Sequence, residues 1–139
     1  MTIPELLKET KTIAVVGISD DPDRSSYGVA EVLQRRGYAI IPVNPRLKEW
    51  NGIKAYPYVS SIPEEIDIDI VDIFRRSEFT PDTVRDVLKR KNLPKCIWLQ
   101  LGIRNEESKR LTEEAGIFYV EDLCTAIETR FNIIKDPSA

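Results

Sequence analysis

Apolar and polar positions alternate along this chain in two rhythms. Five short runs are dense in Val, Ile and aromatic residues and read as strands: "TIAVVG" (12–17), "YAIIPV" (38–43), "IDIVDIF" (68–74), "KCIWLQ" (95–100) and "IFYV" (117–120). The first two are apolar almost from end to end, the pattern of strands buried on both faces by covering helices. Between the runs, apolar residues recur at helical spacing. Val29, Val32 and Leu33 share a face of a segment that Ser25 or Ser26 is expected to cap and that ends at Gly37. In "TPDTVRDVLKRKN", Thr80 reads as the N-cap, Pro81 takes the first helical position and Asp82 lies in the first turn, with Val84, Val87 and Leu88 on one face. Asn105 opens a further helix that closes at Gly116. Short helices over Ile3 to Glu9 and Asp122 to Phe131, and a short extra strand near Lys54 to Tyr56, complete the prediction.

This alternation implies right-handed crossovers. The expected fold is α/β and Rossmann-like: a doubly wound, mainly parallel sheet of five to six strands with helices on both faces. At 139 residues the chain suits a single domain, residues 1–139, with its core over about 11–130 and a loose tail at 135–139.

In such sheets ligands bind beyond the carboxyl ends of the strands, so the strand-to-helix loops are the place to look for chemistry. Four of them carry arginine: "GISDDPDRSS" with Arg24, "NPRLKEW" with Arg46, "RRSEF" with Arg75 and Arg76, and "LGIRNEE" with Arg104. Against a formal net charge of −3, that placement points to a local anion site. The same balance argues against nucleic-acid and membrane partners, and no apolar run approaches a membrane span or signal peptide, so a cytoplasmic protein is expected. Histidine is absent, which removes the commonest general base and metal ligand. The two cysteines, Cys96 and Cys124, form no metal or disulfide pattern.

The first loop has the parts of a phosphate cradle without the usual spelling. Gly17 permits a tight turn, Ser19, Ser25 and Ser26 offer hydroxyls, Arg24 offers a bidentate contact, and the helix behind presents unpaired amides. Gly28, one turn into that helix, leaves room for close helix–strand packing or for a ligand. The dinucleotide fingerprint G-x-G-x-x-G is not matched, because no glycine follows Gly17 until Gly28, and GxxxxGK[ST] is absent. After the second strand the chain reads "VNPRLK", where an NAD site usually carries an acid for the ribose. Asn44 suits an adenine or ribose edge, and Arg46 and Lys48 suit a phosphate on the ribose. NADP and coenzyme A both carry that phosphate.

"VVGIS" with its proline-containing loop and Gly28, "PVNP", "DIVDIFRR", "IWLQLGIRNEE" and "EDLC" together resemble the small CoA-binding domain family, over roughly Lys11 to Arg130. The family's fold is similar to the N-terminal domain of the succinyl-CoA synthetase alpha subunit. The resemblance implies that Gly17, Ile18 and Ser19 wrap the CoA diphosphate or pantetheine, with Arg24, Ser26 and Tyr27 nearby. Asn44 and Pro45 would line the adenosine pocket, and Arg46 or Lys48 would meet the 3′-phosphate. Phe74, Arg75 and Arg76 would approach from the opposite side, and Gln100 and Gly102 would lie near the pantetheine exit. The chain departs from the family in two respects: it lacks the synthetases' phosphohistidine domain and any histidine, and Leu123 stands where members commonly carry arginine before the late cysteine.

Other candidates read as structural. Cys124 is expected to be small core packing rather than a reactive thiol or a partner in a mixed disulfide with CoA, and Cys96 and Trp98 are expected in the core. Trp50 either covers an adenine or packs its loop. Asp67 and Asp69 read as a solvated strand start rather than metal ligands, and Asp72 as a tie to the backbone of the first loop. The expected function is a CoA or acyl-CoA binder or sensor without catalytic residues or metal. An NADP-dependent reductase and a CoA-responsive interaction module with an unidentified protein partner are the alternatives.

Overall fold

The computed structural model describes residues 1–132, and the expected tail at 135–139 lies outside them. The chain begins with α1 (Ile3–Glu9), β1 (Thr12–Val16), α2 (Ser25–Arg35) and β2 (Ala39–Val43). A hairpin of β3 (Glu49–Trp50) and β4 (Ile53–Lys54) leads through a 3-10 turn at Val59–Ser61 to β5 (Ile70–Ile73) and α3 (Thr80–Val87). The described residues end with β6 (Cys96–Leu99), α4 (Glu106–Glu114), β7 (Phe118–Val120) and α5 (Thr125–Glu128).

Five strands form one sheet in the order β2-β1-β5-β6-β7, and every pairing is parallel. From β1 the chain steps outward to β2, then crosses to β5 on the other side of β1. The winding therefore reverses between β1 and β5, which opens a crevice at their carboxyl ends. The fold is the expected α/β Rossmann-like one.

Side chains of alternate parity fill the two faces. Ile13, Val15, Ile70, Cys96 and Trp98 pack with Leu6 and Leu7 of α1 and with Ala30 and Leu33 of α2. Ala14, Val16, Val71, Ile73, Ile97 and Leu99 pack with Val84 and Val87 of α3 and Leu111 of α4. Each large aliphatic side chain buried this way contributes about 1.5–3 kcal/mol.

Several local expectations are corrected. The extra strand is not part of the main sheet: it lies at Ile53–Lys54, pairs antiparallel with Glu49–Trp50, and turns at Asn51 (φ 47°) and Gly52 (φ 79°). Tyr56 adds only an isolated bridge to Val43. Neither serine caps α2, whose N-cap is Arg24 without a side-chain hydrogen bond. Thr80 is inside α3 rather than its cap, because a 3-10 turn at Ser77–Phe79 runs straight into the helix and makes Phe79 the N-cap. The buried Thr80 hydroxyl donates to Ser77 O and meets Ser108 Oγ of α4 at 2.8 Å. Asn105 does cap α4, accepting the Ser108 N–H at 2.8 Å. The last helix is shorter than expected, four residues from Thr125.

Asp69 accepts the N–H groups of Lys11 and Thr12, and Asp67 accepts from Asn92 Nδ2. Both acids thus anchor loops at the amino ends of the strands, away from the crevice.

Candidate functional site

Gly17 is where the loops after β1 and β5 touch. Its φ is +82°, its N–H donates to Val43 O at 2.9 Å, and a Cβ there would stand 2.2 Å from Phe74 O and 3.6 Å from Arg75 Cγ. The close approach expected of this glycine is therefore to the protein's own backbone. Gly28 differs: a Cβ there meets nothing within 4 Å, so helix–strand packing does not require it.

The loop from Gly17 to α2 is braced on three sides. Ser26 Oγ accepts the Ser19 N–H at 3.0 Å, Trp50 Nε1 donates to Ser19 O at 3.0 Å, and Asn44 Nδ2 donates to Ile18 O at 2.8 Å. Asn44 Oδ1 also accepts the Arg46 N–H, so its amide ties the first loop to the second. Trp50 is buried and meets the Tyr27 ring edge-on at 5.4 Å, and the Tyr27 hydroxyl bonds Asn51. Of the two readings for Trp50, loop packing is the one the structure bears out.

Two cavities, about 800 Å³ and about 670 Å³, lie side by side over this crevice. Each is of the size that takes a small molecule. Gly17, Asn44, Arg46, Phe74, Arg75 and Arg76 belong to both and form the divide between them. The first cavity adds Pro45, the turn with Tyr58, Val59 and Ser60, and Phe79, Thr83 and Lys89 around α3. Here Arg75 lies over the Phe79 ring at 5.4 Å and donates to Thr83 Oγ1 at 3.1 Å, which aims the guanidinium across the cavity wall. The second adds Ser19, Arg24, Ser25 and Ser26, then Gln100, Leu101, Ile103 and Cys124 at its far end. The amino end of α2 thus reaches the second cavity with its first amides uncapped by any side chain.

Ile18, Tyr27, Gly28, Lys48 and Gly102 lie outside both walls. Ile18 is buried under the loop, Lys48 is exposed on the hairpin, and the Gly102 N–H donates to Asp122 Oδ1. Arg104 is also outside, held by Asp122 through Nε at 3.0 Å and Nη2 at 2.6 Å. That carboxylate raises the Arg104 pKa, while the Gly102 N–H and the guanidinium lower that of Asp122. The basic rim expected from four loops is therefore assembled from three.

Sequence reasoning missed much of the lining. The 58–60 turn and the α3 face carry no motif, and only tertiary packing brings them to the rim. Cys124 is half-buried in the wall of the second cavity rather than in the core, whereas Cys96 is in the core, where burial and then Asp72 push its thiol up. Trp98 is buried as expected, its Nε1 donating to Leu123 O at 2.7 Å.

Asp72 overturns its expected role. It does not reach the first loop; its Oδ2 lies 2.8 Å from Thr125 Oγ1, at the start of α5. It is completely buried, and desolvation carries its pKa up to about 8 against the opposing hydrogen bond from Thr125.

The CoA binding domain family matches residues 11–130. The chain is 46% identical over 127 residues to the uncharacterized protein YneT of Bacillus subtilis, covering 90% of each. Over 60 residues it is 43% identical to the ADP-forming acetate-CoA ligase II subunit alpha of Pyrococcus furiosus, 42% of this chain and 13% of that subunit. Among solved structures, a hypothetical protein from Pyrococcus horikoshii superposes with a TM-score of 0.85 at 35% identity, covering 93% of this chain and 88% of the other. The family match over nearly the whole described chain, on a sheet of the same fold, identifies this chain as a member of the CoA binding domain family.

Proposed function

We propose that this chain binds coenzyme A at the carboxyl ends of its parallel strands, as a binder or sensor that does not alter it chemically. The observation that carries the reading is the divide between the two cavities. Arg46, Arg75 and Arg76 stand there beside the uncapped amino end of α2 and Arg24, so phosphates on either side of the divide meet cations. In this reading the adenosine and its 3′-phosphate occupy the first cavity, the diphosphate crosses at Gly17, and the pantetheine runs through the second toward Gln100 and Cys124. Two cavities in line suit a long ligand with phosphates in its middle and at one end. Family membership supports the ligand, and so do the partial matches to proteins named as an acetate-CoA ligase subunit and a trans-feruloyl-CoA synthase.

Calorimetric titration with CoA, NADP, NAD and ATP tests this. CoA is expected to bind with the highest affinity, and NADP binding without CoA binding would replace the reading by that of an NADP protein.

A further inference from the structure

The far end of the second cavity rests on a chain of hydrogen bonds whose protons can be counted. Gln100 Oε1 lies 2.9 Å from Thr125 N and 3.0 Å from Thr125 Oγ1, and Thr125 Oγ1 lies 2.8 Å from Asp72 Oδ2. The Thr125 N–H fixes the amide orientation, because the Gln100 nitrogen placed there would oppose donor to donor. Gln100 therefore presents an acceptor to the Thr125 hydroxyl, and Asp72 presents an oxygen to it as well. One hydroxyl carries one proton. If Asp72 were ionised, three oxygens would share that proton and one contact would have none. With a proton on Asp72 Oδ2, Asp72 donates to Thr125 Oγ1, Thr125 donates to Gln100 Oε1, and both contacts are made. The remaining atom agrees: Asp72 Oδ1 is buried with no hydrogen-bond partner among the described residues, a moderate cost for the carbonyl of a neutral acid and a severe one for half a carboxylate.

We infer that Asp72, in its neutral form, is a positioning residue of the proposed CoA site: through Thr125 it sets the Gln100 side chain and the Cys124 end of the cavity wall, and its ionisation releases them.

The surroundings oppose ionisation. Val15 of β1 and Trp98 of β6 flank Asp72 in the sheet. The titratable groups on the described elements of this face are Cys96 on β6, Cys124 before α5, Tyr38 and Arg36 after α2, Tyr27, Glu31 and Arg35 on α2, Glu128 on α5, and the exposed Glu5, Lys8 and Glu9 on α1, with Glu31 and Arg35 paired to each other. Arg36 is engaged elsewhere, donating to Ala126 O and Thr129 Oγ1. Burial, and then Asp72, raise the pKa of Cys96, and burial raises that of Tyr38, so the site opposes ionisation of both.

This inference rests on the CoA reading, and two measurements keep the two apart. The first is the pH profile of CoA affinity from pH 6 to 9.5 for the wild-type chain, Asp72→Asn and Asp72→Ala. Wild-type affinity should fall about tenfold across the range, as expected for one lost hydrogen bond in the wall. Asp72→Asn, whose amide still donates to Thr125, should match the wild type at pH 6 and stay level as pH rises, and Asp72→Ala should be weak throughout. The CoA thiol ionises in both proteins, so the difference between the profiles is the readout. Parallel profiles for wild type and Asp72→Asn overturn the inference. The second measurement is the carbon-13 shift of the Asp72 carboxyl, followed by NMR without ligand. A carboxyl that stays protonated at pH 6.5 supports the proton count, and one that titrates near pH 4 overturns it. Absence of CoA binding at every pH would refute the CoA reading, while the NMR titration would still decide whether Asp72 carries its proton.

Discussion

The walls of the two cavities are tied down by carboxyl groups in opposite surroundings. In the first, Asp86 of α3 is half-buried and receives the N–H of Val59 at 2.9 Å, the N–H of Ser60 at 3.3 Å and the Ser60 hydroxyl. In the second, Asp72 is beyond the reach of water and meets one hydroxyl. Where solvent helps, a carboxylate with converging donors pins a turn. Where solvent is excluded, the same group is cheaper neutral and acts as a donor. The second wall should accordingly be sensitive to alkali.

The largest effect should come from the point the two cavities share. Gly17→Ala sets a Cβ against Phe74 O and in a left-handed conformation, so both loops must separate. A loss of roughly 3 kcal/mol in stability is expected, together with CoA affinity down by more than about a hundredfold, read by denaturant melts and calorimetry. Retained binding would mean that the loops yield without consequence.

Next comes the pH dependence of stability. The folded-state pKa of Asp72 is raised to about 8, above the unfolded value near 3.8, so the folded chain holds a proton that the unfolded chain releases. Its contribution is complete below about pH 4 and is lost as pH rises to about 8, levelling beyond. Asp72→Asn should remove that part of the decline, and denaturant melts at several pH values would show whether the two proteins diverge in this window.

On the first side, Arg75→Ala removes the guanidinium over Phe79. CoA affinity should drop about tenfold, and dephospho-CoA affinity by less if the group meets the 3′-phosphate. Equal losses would assign Arg75 to the diphosphate or the base. Asp86→Ala should then cost about 1–2 kcal/mol by freeing the 59–60 turn, with a weaker loss of CoA binding. The smallest effect belongs to Arg104→Ala. The guanidinium is exposed and pairs with Asp122 outside both cavities, so CoA affinity should change by less than about twofold. A larger change would return Arg104 to the rim.

The chain's own patterning determined the five parallel strands, the helices on both faces and the region of the crevice, because burial on two faces leaves continuous apolar runs and helices leave a 3.6-residue period. It also marked the arginines after β1, β2, β5 and β6, since the ends of parallel strands share a rim. Only the tertiary structure decided which of those arginines meet, because Arg104 differs from Arg75 not in its loop position but in having Asp122 opposite. The same is true of Thr80, drawn inside its helix by a preceding turn, of Cys124, exposed to the cavity by a short α5, and of Asp72. In sequence, Asp72 is an acid within an apolar strand. What it does depends on Thr125 and Gln100, which are distant along the chain and adjacent only after folding, and hydrogen-bond direction is a property of such meetings rather than of residue type.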